Sequence, residues 1–375
     1  MGPRTAIVLG AGPSGLAASA CLLRRGVQVT TLEARDAVGS SWRRHYRRLH
    51  LHTVKEHSAL PGMPFGDTVA RYPSREDVVA YLDAYAARFG VNPRFGQRAR
   101  DARHVGGGWV VTTDDARYDA DALVVATGYN RAPVIPTWPG RDGFAGEVLH
   151  ASQYADGAPF RGKAVLVVGV GNTGGEIALD LWEHGARVTL CARSPQHVVP
   201  RDLFGVPAQI NSLYVMRHLP LPVADALARR LSRMIFGDLS RWGLPAPTTG
   251  MLSDVVQRGH IPMLDIGTVA LIKQGAITVV PGIERFDGAR VRFVDGRALD
   301  VDAVVLATGY RAALTDVLAD AAEVTDARGY PRWHGARVPG HPGLFFVGYR
   351  NPLTGALHDI ARESERVAAL IAEGP

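Results

Sequence analysis

The chain has 375 residues, 46% hydrophobic and 21% charged, which provides for two or three cored domains and excludes global disorder. Its net charge of +6 comes mostly from arginine, with no long basic block and no basic tract interleaved with aromatics, so phosphorylated cofactors are expected and nucleic acid is not. Two distant cysteines, Cys21 and Cys191, exclude a disulfide framework and a C-x-x-C redox pair; with no signal-peptide pattern and no run of about 18 apolar residues, a cytoplasmic protein without an integral membrane span is expected.

Thr5 to Leu9 reads as a strand, followed by Gly10, Gly12 and Gly15 in a turn that opens a helix over 13–25. The first glycine permits the tight turn, the second lets the backbone approach a pyrophosphate, and the third lets helix and strand close together. Pro13 and Ser14 start the helix, whose free N–H groups favour phosphate. The next strand ends in Glu33, 23 residues after Gly10, at the spacing of a ribose-binding acid. Residues 39–57 crowd arginine and histidine; His50 and His52 share a strand face, but nothing beside them completes a metal set, so no metal is expected. Ser74 and Asp77 read as the start of a helix to about Phe89, with Val78, Tyr81, Leu82 and Tyr85 as its core face. A β-meander is expected over 97–121, then a buried strand running into Thr127 and Gly128.

A second strand and turn follow, with Ala164 to Val168, then Gly169, Gly171 and Gly174, and Asn172 and Thr173 between the glycines. Gly10 to Gly26 and Gly169 to Gly185 both span 16 residues, so the two turns align. The position equivalent to Glu33 is Ala192, followed by Arg193 and Ser194. A carboxylate there would repel the 2′-phosphate of NADPH, whereas an arginine attracts it. Prolines break the pattern from about 199 to 261, around a helix near 223–236. That helix carries Leu227, Leu231, Met234 and Ile235 on one face and Arg229, Arg230 and Arg233 on another; ordinary packing is expected, with a membrane-surface helix as the alternative. Strands at 277–280 and 290–294 are expected to extend the second sheet. Val304 to Tyr310 repeats the first V-V-A-T-G-Y run, placing Thr308, Gly309 and Tyr310 at a return to the first domain; Gly355 and Ala356 open a last helix over 356–372.

Between the two turns lies FAGEVLHASQY, in which Phe144, Gly146, His150 and Tyr154 match the F-x-G-x-x-x-H-x-x-x-[YFW] fingerprint. The chain therefore resembles the flavin-dependent monooxygenases with separate FAD and NADPH domains. Trp42 and Arg43 resemble that family's G-G-x-W-R segment, and His52 and Lys55 stand where N- and S-oxygenating members carry Asn and Lys of N-T-S-K-E. Leu49 to His52, H-V-V-P-R-D at 197–202 and P-M-L-D-I-G-T at 262–268 are most similar to YUCCA-type members. The resemblance implies an α/β chain of two Rossmann-like three-layer dinucleotide-binding domains, the NADPH domain inserted into the FAD domain. The expected spans are 1–155 for the first part of the FAD domain, 156–303 for the NADPH domain and 304–375 for the return. It implies FAD on the first turn, with Leu51, His52, Thr127, Gly128, Gly355 and Ala356 about the flavin, and NADPH on the second. His52 and Lys55 are the candidate catalytic side chains. The implied activity passes a hydride from NADPH to flavin, forms a C4a-peroxyflavin with O2, and places one oxygen atom in a small substrate: a 2-oxo acid such as indole-3-pyruvate, an amine or a thioether. An NADPH oxidase or flavin reductase of the same fold, and a non-catalytic cofactor-binding sensor, are the alternatives; homo-oligomerisation stays open.

Overall fold

Ala6 to Leu9 are buried without alternation, as a strand covered on both faces requires. In the computed structural model, which describes residues 4–214 and 216–374, this strand lies inside a four-stranded parallel sheet ordered Gln28–Leu32, Thr5–Leu9, Ala122–Val125 and Leu344–Phe346. Ile7, Leu9, Leu123, Val125 and Phe346 face a cluster completed by Trp109 and Val111 of a three-stranded antiparallel meander, 101–120. The helices Pro13–Leu23 and Ala356–Glu373 pack against each other. Ser74 and Asp77 form a reciprocal capping box on Arg75–Phe89, and Gly90 ends that helix in the left-handed conformation.

These elements make one unit, residues 1–43, 53–132 and 310–375; residues 44–52 and 133–309 make the other. The second unit holds a five-stranded parallel sheet ordered Ile277–Val280, Arg187–Cys191, Ala164–Val168, Ala303–Leu306 and Glu147–His150. Val165 and Val167 face a core shared with the Asn172–Glu183 helix, and Leu166 and Val168 face a core with Phe286, Val291 and Phe293. This is the burial expected of a parallel sheet covered on both sides.

Several expectations change. The strand Arg290–Phe293 does not extend the parallel sheet; it pairs antiparallel with Ile283–Asp287 and Ala298–Asp300 in a separate layer, because Gly288 in the left-handed conformation turns the chain straight back. The strand Ala303–Leu306 is no return segment but sits inside the second sheet, and the chain changes unit at 309/310. The fingerprint likewise lies within the second unit, its Glu147–His150 strand forming the sheet edge, and the units divide at 132/133 rather than 155/156. Within the proline-rich insert, Asp225 accepts hydrogen bonds from Leu252 N, Ser253 N and Ser253 Oγ, fixing the Leu221–Phe236 helix to the segment after it. No helix among the described residues is long and apolar enough to cross a membrane.

Candidate functional site

Both glycine turns have the same geometry. Gly10 and Gly169 carry φ of +106° and +114°, and a Cβ on either would come within 2.7 Å of the Ala126 carbonyl oxygen or 2.5 Å of the Ala307 one. A Cβ on Gly15 would overlap the Gly10 carbonyl oxygen, and one on Gly174 the Gly169 carbonyl oxygen. Gly12 and Gly171 differ: a Cβ on either meets nothing within 4 Å, and both are helix N-caps in extended conformation. The first and third glycines thus close the turn on itself, and the second keeps an open face before a helix N-terminus. That open face is the cradle a pyrophosphate needs, so the residues present fit one dinucleotide in each unit.

In the first unit, Glu33 ends the second strand and folds back on the turn. Its Oε2 accepts the Ala11 N–H at 2.7 Å and Oε1 the Arg35 N–H at 3.0 Å. Pro13 is at the helix start, and Ser14 is buried beneath Gly348, where any Cβ would overlap its hydroxyl. Thr127 Oγ1 and the Tyr349 hydroxyl share a hydrogen bond of 2.7 Å, and Gly128 has φ of +83° facing open space. Trp42 is half-buried, while Arg43 donates to Asp83 and to the Val38 carbonyl. Buried Gly355, φ +100°, is the N-cap before Ala356. Lys55 donates to the carbonyls of Gly66, Asp67 and Val69 at 2.7–3.2 Å. That commits its three N–H groups to holding a loop.

In the second unit, Asn172 Oδ1 accepts the Leu264 N–H at 2.7 Å, tying the turn to the Met263–Asp265 strand, with half-buried Thr173 beside it. Exposed Arg193 lays its aliphatic stem over Gly282 and makes no ion pair with a described residue; Ser194 is exposed beside it. Thr308 Oγ1 donates to Val134 O at 2.5 Å. Leu51 is buried, and Tyr310, in the first unit, is half-buried.

The fingerprint residues all have packing or hydrogen-bonding partners. Phe144 meets Phe286 edge-on at 5.2 Å, and a Cβ on Gly146 would come 2.5 Å from the Asp302 carbonyl oxygen. His150 accepts the Ser152 N–H at Nδ1, leaving Nε2–H to donate to Gly309 O at 3.2 Å; burial lowers its pKa and keeps it neutral. Tyr154 is buried, stacks on Phe160 and donates to Asp180 Oδ2 at 2.5 Å; burial, then that carboxylate, raises its pKa.

His52 belongs to the second unit, where its Nε2 pairs with the carboxylate of Glu176 on the Asn172–Glu183 helix, while its Nδ1 is buried without a partner. Glu176 and Asp180 escaped the sequence reading. The signal was there: two carboxylates one turn apart on a helix face otherwise buried and apolar, which demands partners.

The family model of pyridine nucleotide-disulphide oxidoreductases matches residues 7–202. Indole-3-pyruvate monooxygenase YUCCA1 of Oryza sativa subsp. japonica is 41% identical over 354 residues, covering 92% of this chain and 86% of its own. Probable indole-3-pyruvate monooxygenase YUCCA8 of Arabidopsis thaliana is 39% identical over 383 residues, covering 97% and 88%. Among solved structures, the flavin-containing monooxygenase from Stenotrophomonas maltophilia superposes with a TM-score of 0.76 at 23% identity over 100% of this chain and 99% of its own. A structure titled OTEMO complex with FAD and NADP gives 0.78 at 20% identity over 100% and 86%. The structural likenesses confirm the fold, two Rossmann-like dinucleotide-binding units. With identity near 40% over almost the whole length, the chain belongs to the YUCCA family of flavin-dependent monooxygenases.

Proposed function

We propose that the protein is an FAD- and NADPH-dependent monooxygenase whose substrate is a 2-oxo acid of the indole-3-pyruvate type. The observation that carries this is the pair of matched glycine cradles, one ending in Glu33 and the other in Arg193. Bound flavin supplies hydride acceptance and activation of O2. The chain supplies the rest. The turn at Gly10, Gly12 and Gly15 receives the FAD pyrophosphate on its open face, and Glu33, already bonded to the turn, presents its remaining lone pairs to the adenosine ribose. The helix beginning at Ala356 directs its positive end, after Gly355, toward developing negative charge. The turn at Gly169, Gly171 and Gly174 receives NADPH, and the guanidinium of Arg193 takes the 2′-phosphate. Overall, the 2-oxo acid, O2, NADPH and a proton become the shortened carboxylic acid, CO2, NADP+ and water. Two buried, unpaired cysteines fit a cytoplasmic setting.

The test supplies the flavin-loaded protein with NADPH, isotopically heavy O2 and a panel of indole-3-pyruvate, an amine and a thioether. One heavy oxygen atom should enter the acid formed from the 2-oxo acid, with one NADPH consumed per product. Hydrogen peroxide as the only product across the panel would make the protein an oxidase and end this reading.

A further inference from the structure

The Leu221–Phe236 helix is amphipathic in the reverse sense to a packed helix. Its inward face is Ala224, Asp225, Ala228 and Phe236, all buried. Opposite, Val223, Leu227 and Met234 recur at helical spacing, and they are 52%, 38% and 66% exposed. Ordinary packing therefore accounts for Phe236 and half-buried Leu231 but not for Val223, Leu227 and Met234. Arg230 falls in the same exposed stripe, and exposed Arg233 and Arg229 lie successively further round to one side of it; none of the three makes an ion pair with a described residue. The rest of the insert continues the pattern: Phe204 is 86% exposed and Val256 is 74% exposed. Of the thirteen exposed large apolar side chains among the described residues, eight lie between 204 and 256, so the feature belongs to the insert and not to the surface in general.

We propose that this insert docks the protein peripherally on an anionic lipid surface, through the outward face of the Leu221–Phe236 helix. Charge and shape both select that occupant. Between residues 204 and 258 the chain has six arginines and three aspartates, and Asp225 and Asp254 are buried, leaving Asp238 as the exposed acid. A second copy meeting this face by two-fold symmetry would set arginines against arginines. A lipid interface takes scattered apolar side chains into its headgroup boundary while phosphates meet the arginines between them. Asp225 fixes the helix to the 252–253 backbone, so the stripe is presented by a held element.

The test is flotation of the flavin-loaded full-length protein with vesicles of phosphatidylcholine alone or mixed with phosphatidylglycerol. Binding should require phosphatidylglycerol, weaken as salt rises, and fall about a hundredfold in R229E/R230E/R233E. V223S/M234S should lower it by about tenfold, separating apolar insertion from charge alone. Flavin content and NADPH oxidation should be unchanged in both variants, since these residues lie outside both glycine cradles. Absence of binding to the mixed vesicles would overturn the proposal. So would binding that the charge reversals leave intact, or a solution dimer that they dissociate. Capture of an acidic protein through this face by a chain that ignores vesicles would overturn it too.

Discussion

Arg193 has no carboxylate partner among the described residues and stands one residue past Ala192, the position equivalent to Glu33. Its replacement by Ala should weaken NADPH about tenfold to a hundredfold and leave NADH nearly unchanged, since a charge-assisted phosphate contact contributes about 1.5–3 kcal/mol. Titration of both coenzymes checks this, and equal losses would remove the assignment. His52 calls for a different experiment. Its pairing with buried Glu176 means that His52→Ala strands a carboxylate inside the second unit, at a cost of about 3–5 kcal/mol. Adding Glu176→Gln should restore much of that stability in denaturant titrations; additive losses would show that the two side chains do not act as a pair. The two glycine turns were legible because their spacing is local. The partner of His52 was not, because Glu176 lies 124 residues away and nothing nearby in sequence names it.

At the scale of elements, the glycine turns make an uneven prediction. Gly15→Ala places a methyl on the Gly10 carbonyl and should fail to fold, while Gly12→Ala should fold and bind flavin poorly, because its methyl enters the open face. Absorbance at the flavin band against circular dichroism separates the two outcomes. The last helix carries a pH dependence. Glu363 is buried, accepts the Gly348 N–H at 2.8 Å, and burial pushes its pKa from 4.5 to about 7. The folded chain then holds a proton that the unfolded chain releases. This stabilisation is complete below about pH 4.5 and is lost as pH rises through about 7, by roughly 3 kcal/mol. Glu363→Gln should remove that decline when denaturation midpoints are compared across this window; an unchanged slope would show that Glu363 is ionised in the fold. Helices and parallel strands were legible from periodicity, capping and buried runs. Arg290–Phe293 was misplaced because strand periodicity names a pleat and not a partner, and the hairpin turn at Gly288 decided the pairing.

Across the whole molecule, each unit has its own cradle, so the cofactors should be separable by mutation. Gly171→Ala should purify yellow and lose rapid bleaching by NADPH, whereas Gly12→Ala should lose the colour itself; stopped-flow reduction distinguishes them, and parallel loss of both functions would contradict independent cradles. The chain changes unit four times, and the first excursion, residues 44–52, is only nine residues long. Those nine residues bring Tyr46 into the second core, Arg48 to Glu183, Arg47 to Asp156 and His52 to Glu176. Homologous recombination or laboratory domain grafting that exchanges 133–309 as one continuous cassette would therefore transplant an incomplete body. The donor would arrive with a vacated aromatic socket and orphaned carboxylates, and the recipient's own nine residues would have to match them. Functional chimeras of this family should be those that carry both pieces together.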